Sequence, residues 1–105
     1  MRIEHAAIWC RDLGGLRDFY ETYFSAKSGA KYVNKAKGFE SHFLRFDSGA
    51  RLELIRMQSL PGSPGDPCVP SMGLAHLVFP MDSEARVDAL THALERAGHR
   101  VPHGP

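Results

Sequence analysis

The chain lacks the features that mark several specialised classes of protein. Only two of its 105 residues are cysteines, Cys10 and Cys68, and they form no CxxC pair. A disulfide framework is therefore not expected, and a reducing cytoplasm is the expected location. No apolar run approaches the ~20 residues that span a bilayer, and no signal-peptide core precedes the first strand pattern. The 13 basic and 12 acidic residues are well mixed and leave a net charge of +1, so the composition does not indicate binding to nucleic acid or to an anionic membrane.

The composition predicts one small soluble domain, and three of its side chains are suited to binding a metal ion. Hydrophobic residues make up 43% of the chain, which is enough to supply a core. His5, Glu53 and His76 each lie in a short apolar stretch typical of a strand. Imidazole nitrogens and a carboxylate oxygen suit a divalent ion such as Zn, Ni, Co, Fe or Mn. A single histidine in a strand is more often a hydrogen-bonded core residue, so the hypothesis depends on the three occurring together.

The two histidines lie in matching contexts, which indicates an internal repeat. His5 is followed by apolar residues, then by Asp12 and an amphipathic stretch that ends near Phe24. His76 is followed in the same way by Asp82 and an amphipathic stretch. The period is longer than that of stacked repeat proteins. Two modules within one domain, each beginning with a strand and a helix, fit the pattern better.

The first module, residues 1–57, is predicted to have the order βαβββ. Residues 2–9 are predicted to form a strand, and Asp12 is a suitable N-cap for the helix that follows. A short strand is expected at 30–34. Residues 39–47 and 50–57 are predicted to form a β-hairpin around the turn at 47–49.

A proline-rich linker at 58–72 is predicted to separate this module from an incomplete second one at 73–105. Prolines fall at every third position of the linker, which favours an extended spacer, with an SH3-type ligand as the alternative. The second module is predicted to contain a strand at 73–79 and a helix at about 83–97. Gly98 is expected in a left-handed C-cap, and Arg100 is expected to begin another strand.

The motifs around the three candidate ligands resemble those of the vicinal oxygen chelate superfamily, which includes glyoxalases, bleomycin-binding proteins and extradiol dioxygenases. The resemblance covers the whole chain and rests on residues 3–9, 12–13, 19–20, 48–54 and 73–77. It implies an α+β fold in which paired βαβββ modules form a cupped mixed sheet, with the strand order 1-4-3-2 in each module. It also implies a homodimer.

The resemblance assigns metal ligation to His5, Glu53 and His76. In the lactoylglutathione lyase-like branch, which the chain resembles most, a second glutamate on the eighth strand completes the set, and here it has no counterpart. We therefore expect either a fragment of a protein ~20–25 residues longer, judged from typical strand lengths, or a truncated chain with weak metal binding.

The same resemblance implies chemistry next to a carbonyl group of a small-molecule substrate, with a thiol adduct as one candidate. A divalent ion stabilises the enediolate that forms, and a carboxylate moves the proton. Glu53 is the catalytic candidate. Trp9 and Met57 stand where glutathione-dependent relatives often have Arg and Asn, and they are expected to form an apolar wall of the substrate pocket or simply to fill the core. His42 is expected to line the cup.

Two other functions stay open at this point. One is a binding protein of the same fold that holds a small aromatic or antibiotic ligand without turnover. The other is a purely structural fragment with an incomplete site. Metal content separates the first of these from an enzyme, because the bleomycin-type binders carry no ion. The remaining histidines, His92, His99 and His103, are expected at the surface.

Overall fold

The chain folds as two units, Met1–Gly62 and Ser63–Pro105. The structure is a computed structural model and describes residues 1–60, 73–74 and 76–102. Most of the predicted linker, at 61–72, and the predicted surface histidine His103 lie outside the described residues. Within the described parts of the chain, no helix has the length and apolar character needed to cross a membrane.

The first unit contains a mixed five-stranded sheet and one helix. Its elements in chain order are β1 (His5–Trp9), α1 (Leu13–Phe24), β2 (Lys27–Ser28), β3 (Tyr32–Asn34), a short 3-10 turn (Lys35–Lys37), β4 (Phe39–Arg45) and β5 (Arg51–Met57). The strand order is β1-β5-β4-β2, and β3 also pairs with β4. The predicted order 1-4-3-2 is confirmed, with the predicted second strand replaced by two short segments.

Local sequence signals set the boundaries of these elements. The Asp12 side chain accepts a hydrogen bond from the Gly15 amide at 3.0 Å, so it caps α1 as predicted. The β4–β5 hairpin turns through Gly49, whose φ of 82° suits a residue without a Cβ. Strands β4 and β5 pair antiparallel, whereas β1 pairs with β5 in parallel. The parallel pairing follows from the helical crossover between β1 and the rest of the sheet.

The two faces of the sheet differ in what covers them. On one face, which we call the α1 face, Leu44 and Leu54 are completely buried and pack in a cluster with Leu13 of α1. Successive strand residues point to opposite faces, so Glu53 lies on the other side of the sheet. We call that side the Glu53 face. By the register of the strands, it carries the following residues: His5, Ala7 and Trp9 of β1, Phe39, Ser41 and Phe43 of β4, and Arg51, Glu53, Ile55 and Met57 of β5.

The second unit contains the helix α2 (Glu84–Arg96), which confirms the predicted helix at about 83–97. Ser83 is its N-cap. At the other end the Gly98 amide donates to Glu95 and the His99 amide donates to Leu94, while Gly98 has a φ of 90°. These two bonds form a Schellman motif, so the predicted left-handed residue after the helix is confirmed.

The strands predicted around α2 are not observed in the part of the chain that the structure describes. Residues 73–74, 76–79 and 100–102 do not form strands. Their apolar pattern fits a strand, but a strand also needs a neighbouring strand to receive its backbone hydrogen bonds. Among the described residues none pairs with these segments.

Candidate functional site

The structure brings together two of the three predicted metal ligands. His5 begins β1 and Glu53 lies in the neighbouring strand β5, where its backbone is opposite Ala7. His5 Nε2 is 3.8 Å from Glu53 Oε1. The side chain of Glu53 is only 16% exposed, whereas that of His5 is 39% exposed. His76 is an exposed residue of the second unit, and its participation stays a prediction.

The other nitrogen of His5 contacts a carboxylate. His5 Nδ1 forms a short hydrogen bond with Glu4, and Arg51 Nε donates to Glu4 Oε1 at 2.7 Å. The hydrogen bond from His5 and the neighbouring Arg51 guanidinium lower the pKa of Glu4, against a smaller opposing effect of desolvation. Glu4 is therefore a charged acceptor between two donors.

Phe43 connects Arg51 back to His5. The Arg51 guanidinium carbon is 4.3 Å from the centre of the Phe43 ring, a distance typical of a cation–π contact. The Phe43 and His5 rings meet edge to face, with their centres 5.1 Å apart. Phe43 is also the β4 residue directly opposite Glu53. The imidazole thus has an aromatic neighbour that is fixed by the sheet.

The chemistry of His5 and Glu53 fits a divalent metal ion. Two donor atoms that bind one tetrahedral ion at about 2.0–2.2 Å lie about 3.4 Å from each other. The distance of 3.8 Å between His5 Nε2 and Glu53 Oε1 is close to that value. A histidine ligand commonly donates its second ring N–H to a carboxylate, and Glu4 occupies that position. Among the described residues, no group of three or more His, Cys, Asp or Glu side chains is arranged to hold a metal.

The predicted apolar wall has both its residues on the same side of the sheet as Glu53. Trp9 is opposite Ile55 in the β1–β5 register, and the residue is 57% exposed. Met57 ends β5 opposite Phe39 and is half-buried. Their role as pocket residues stays a prediction.

His42 lies on the α1 face and does not line the same face as Glu53, so the expectation for its position is corrected. It is opposite Leu54 in the β4–β5 register and is only 5% exposed. Its Nδ1 donates to the Gly29 carbonyl at 3.2 Å, and Arg17 Nη1 is 3.5 Å from its Nε2. These bonds satisfy the buried imidazole, so His42 contributes to the packing between β4 and α1.

Sequence reasoning did not single out Glu4, Phe43 or Arg51 as residues of the site. One signal for Arg51 was present in the chain. Arg51 precedes Glu53 by two residues, as His5 precedes Ala7. In the parallel β1–β5 pairing Ala7 is opposite Glu53, so His5 is opposite Arg51. The strand order was predicted but the register was not, and without the register the neighbours of His5 stay unknown.

A protein-family model matches almost the whole chain. The model of the Glyoxalase/Bleomycin resistance protein/Dioxygenase superfamily matches residues 2–105. A search of curated proteins found no match.

Solved structures with a similar fold include three bacterial proteins. A possible glyoxalase from Bacillus cereus is 26% identical, with a TM-score of 0.68, and the match covers 93% of this chain and 75% of that chain. A glyoxylase/bleomycin resistance protein/dioxygenase domain from Frankia sp. EAN1pec is 21% identical, with a TM-score of 0.74 and coverages of 93% and 70%. A glyoxalase family protein from Enterococcus faecalis is 21% identical, with a TM-score of 0.71 and coverages of 90% and 72%.

Proposed function

Because the chain belongs to the Glyoxalase/Bleomycin resistance protein/Dioxygenase superfamily, we propose that it is a metal-dependent lyase or isomerase of small molecules. Its reaction centre is the Glu53 face of the sheet. The observation that carries the proposal is the approach of His5 Nε2 to Glu53 Oε1, at 3.8 Å on neighbouring strands. His5, Glu53 and His76 are the proposed metal ligands.

Glu53 is the proposed proton carrier. Pairing with strands on both sides fixes the backbone of Glu53 in the middle of β5, and its side chain is only 16% exposed. A bound divalent ion supplies a positive charge that polarises a substrate carbonyl. Glu53 then accepts a proton from the carbon next to that carbonyl at a carboxylate oxygen, and it returns the proton to complete the isomerisation or elimination. His5 orients the site rather than moving the proton.

The substrate is proposed to carry an apolar or aromatic portion. The Glu53 face presents Trp9, Phe43 and Met57, and Trp9 as a residue is 57% exposed. Aromatic side chains of this kind bind apolar ligand surface by area burial and ring contacts. The exposure of Trp9 also favours a second candidate function, which is binding of a small aromatic or antibiotic ligand without turnover.

The protein is further proposed to act as a homodimer in the cytoplasm. Among the described residues, β1 pairs only with β5, so one side of β1 is a strand edge. Proteins commonly cover such edges, and two-fold dimers are the commonest way for soluble chains to associate. Light scattering that gives the mass of one chain at micromolar concentration would contradict the dimer.

The experiment that tests the metal site compares metal binding by three proteins. Calorimetric titration with Zn²⁺, Ni²⁺ and Co²⁺ is carried out on the wild-type chain and on the variants His5→Ala and Glu53→Gln. Each variant is expected to lower the affinity at least about tenfold, because one donor is lost from the coordination sphere. Any consumption of a thiohemiacetal substrate by the loaded wild type is expected to be lost in Glu53→Gln.

Matched controls come from residues of the same type elsewhere in the chain. Glu40 is a carboxylate of β4 on the α1 face, and His92 is an exposed residue of α2. Glu40→Gln and His92→Ala are expected to bind metal as the wild type does. If His5→Ala and Glu53→Gln bind metal no more weakly than these controls, the proposed site is wrong. If the metal-free wild type binds an aromatic ligand and never turns over a substrate, the second candidate function is correct.

A further inference from the structure

The side chains around His5 form a closed ring of four contacts. Glu4 contacts His5 Nδ1, and Arg51 donates to Glu4. The Arg51 guanidinium covers the Phe43 ring, and the Phe43 ring meets His5 edge to face. From these contacts we infer that Glu4, held by Arg51, is a positioning residue that fixes the proton of neutral His5 on Nδ1 and leaves Nε2 unprotonated towards Glu53. The inference deepens the proposed function and rests on it for its chemical meaning.

The proton position follows from the chemistry of the two partners. A neutral imidazole carries one N–H and one lone pair, and an ionised carboxylate can only accept. Contact between Nδ1 and Glu4 is therefore favourable with the proton on Nδ1 and repulsive with the lone pair there. The lone pair is left on Nε2, the nitrogen that lies 3.8 Å from Glu53. Only that form presents an electron pair to an ion placed between His5 and Glu53.

Arg51 holds Glu4 at two points. The Arg51 amide donates to the Glu4 carbonyl at 2.9 Å, and the Arg51 side chain forms an ion pair with the Glu4 carboxylate. An exposed carboxylate that lacked such anchors would sample several rotamers and hold His5 poorly. The Phe43 ring restricts the Arg51 guanidinium in turn, and Phe43 is opposite Glu53 in the sheet. The four contacts therefore fix the orientation of the His5 imidazole relative to β5, the strand that carries Glu53.

The test measures the tautomer of His5 in the metal-free chain of 105 residues. Long-range proton–nitrogen NMR spectra distinguish a protonated ring nitrogen from an unprotonated one, and the His5→Gln variant identifies the His5 signals. Spectra are recorded at about pH 8.5, well above the ordinary histidine pKa of about 6.5. The wild type is expected to show a protonated Nδ1. Glu4→Ala is expected to move the proton towards Nε2, and Arg51→Met to move it part of the way. Glu4→Gln is also expected to move the proton to Nε2, because Arg51 donates to the Glu4 oxygen that His5 does not contact, so the amide oxygen stays on Arg51 and the amide N–H group faces Nδ1.

Controls on the α1 face repeat the same chemistry away from His5. Glu40 and Arg56 form an ion pair with an N–O distance of 3.5 Å, so Glu40→Ala and Arg56→Met remove a similar carboxylate and guanidinium. Both are expected to leave the His5 tautomer unchanged. A wild-type His5 with its proton on Nε2, or a tautomer that Glu4→Ala does not move, would overturn the inference.

A second measurement separates this inference from the proposed function. Zn²⁺ affinity is expected to fall about 10–100-fold in Glu4→Ala, as is usual when the carboxylate behind a histidine ligand is removed. If the tautomer moves as expected but the wild type binds no metal, the metal-dependent function fails while the positioning role stands. If the wild type binds Zn²⁺ and Glu4→Ala changes neither the tautomer nor the affinity, the positioning role fails alone.

Discussion

At the scale of single residues, the stability of the first unit depends most on Leu44 and its neighbours in the cluster under α1. Leu44 is completely buried, whereas Ile3 is 72% exposed. Leu44→Ala is expected to lower the free energy of unfolding by about 2–5 kcal/mol, because it removes apolar contacts and leaves a cavity. Ile3→Ala is the matched control and is expected to change the free energy of unfolding by less than about 0.5 kcal/mol. Urea denaturation followed by circular dichroism measures both, and equal losses in the two variants would contradict the assigned core.

The sequence predicts which residues share a face of a strand, but not which face is covered. The alternation of β4 correctly groups His42 with Leu44. The side of the sheet on which that group lies depends on where α1 packs, and this is a tertiary property. The assignment of His42 to the site failed for that reason. His5 and Glu53, by contrast, were chosen as candidates because their chemical type restricted the choice more than their position did, and their role stays a prediction.

At the scale of elements, adjacent glycines in the first turn of α1 are expected to respond differently to the same substitution. A Cβ at Gly14 would meet no atom within 4 Å, whereas a Cβ at Gly15 would lie 2.3 Å from Asp12 Oδ2. Gly14→Ala is expected to stabilise the protein by about 0.5–1 kcal/mol, because alanine loses less backbone entropy in a helix. Gly15→Ala gains the same backbone entropy term but is expected to show no net stabilisation. Its Cβ displaces the Asp12 cap, which contributes about 1 kcal/mol.

Thermal unfolding of the two alanine variants, alone and in an Asp12→Ala background, measures the difference. Without the Asp12 carboxylate, Gly15→Ala is expected to become as stabilising as Gly14→Ala. If the two variants have equal stability with Asp12 present, the cap contributes less than the structure indicates.

The elements that the sequence predicted well are those with strong local signals. The bounds of α1 and α2 follow from Asp12, Ser83 and Gly98, whose chemistry acts within one helical turn. The segments β2 and β3 are too short to show a period, and they exist because each pairs with β4. The predicted strand at 73–79 had the apolar pattern but no paired neighbour among the described residues. Pattern alone therefore predicts the capacity to form a strand, and pairing decides the outcome.

At the scale of the whole molecule, two surface carboxylates are expected to make stability fall at acid pH. Hydrogen bonds from His5 and from Lys31 lower the pKa values of Glu4 and Glu40 below their ordinary value of 4.5. A lowered pKa contributes stability that is present above the unfolded-state value and is lost as the pH falls through the folded-state value. The urea midpoint is therefore expected to fall as the pH is lowered from about 5 to about 3.

The double variant Glu4→Gln/Glu40→Gln is expected to show a smaller fall over the same range, because neither amide titrates. Both carboxylates are near solvent, so salt screens their ion pairs. Added 1 M NaCl is expected to reduce the difference between the wild type and the double variant. A double variant with the full wild-type acid sensitivity would mean that other groups account for it.

The parallel pairing of β1 with β5 also sets an order of events during folding. The β4–β5 hairpin joins neighbouring stretches of chain, whereas β1 meets β5 only after the long segment between His5 and Arg51 has closed into a loop. Closing a long loop costs more chain entropy than forming a hairpin, so the hairpin is expected to form early and β1 to add late.

Shortening Ile8 of β1 to alanine is then expected to accelerate unfolding with little effect on the refolding rate, whereas Leu52→Ala in the hairpin is expected to slow refolding. On that pathway the proposed ligands His5 and Glu53 first meet in the last step, so a metal ion that required both would bind only chains that had nearly finished folding.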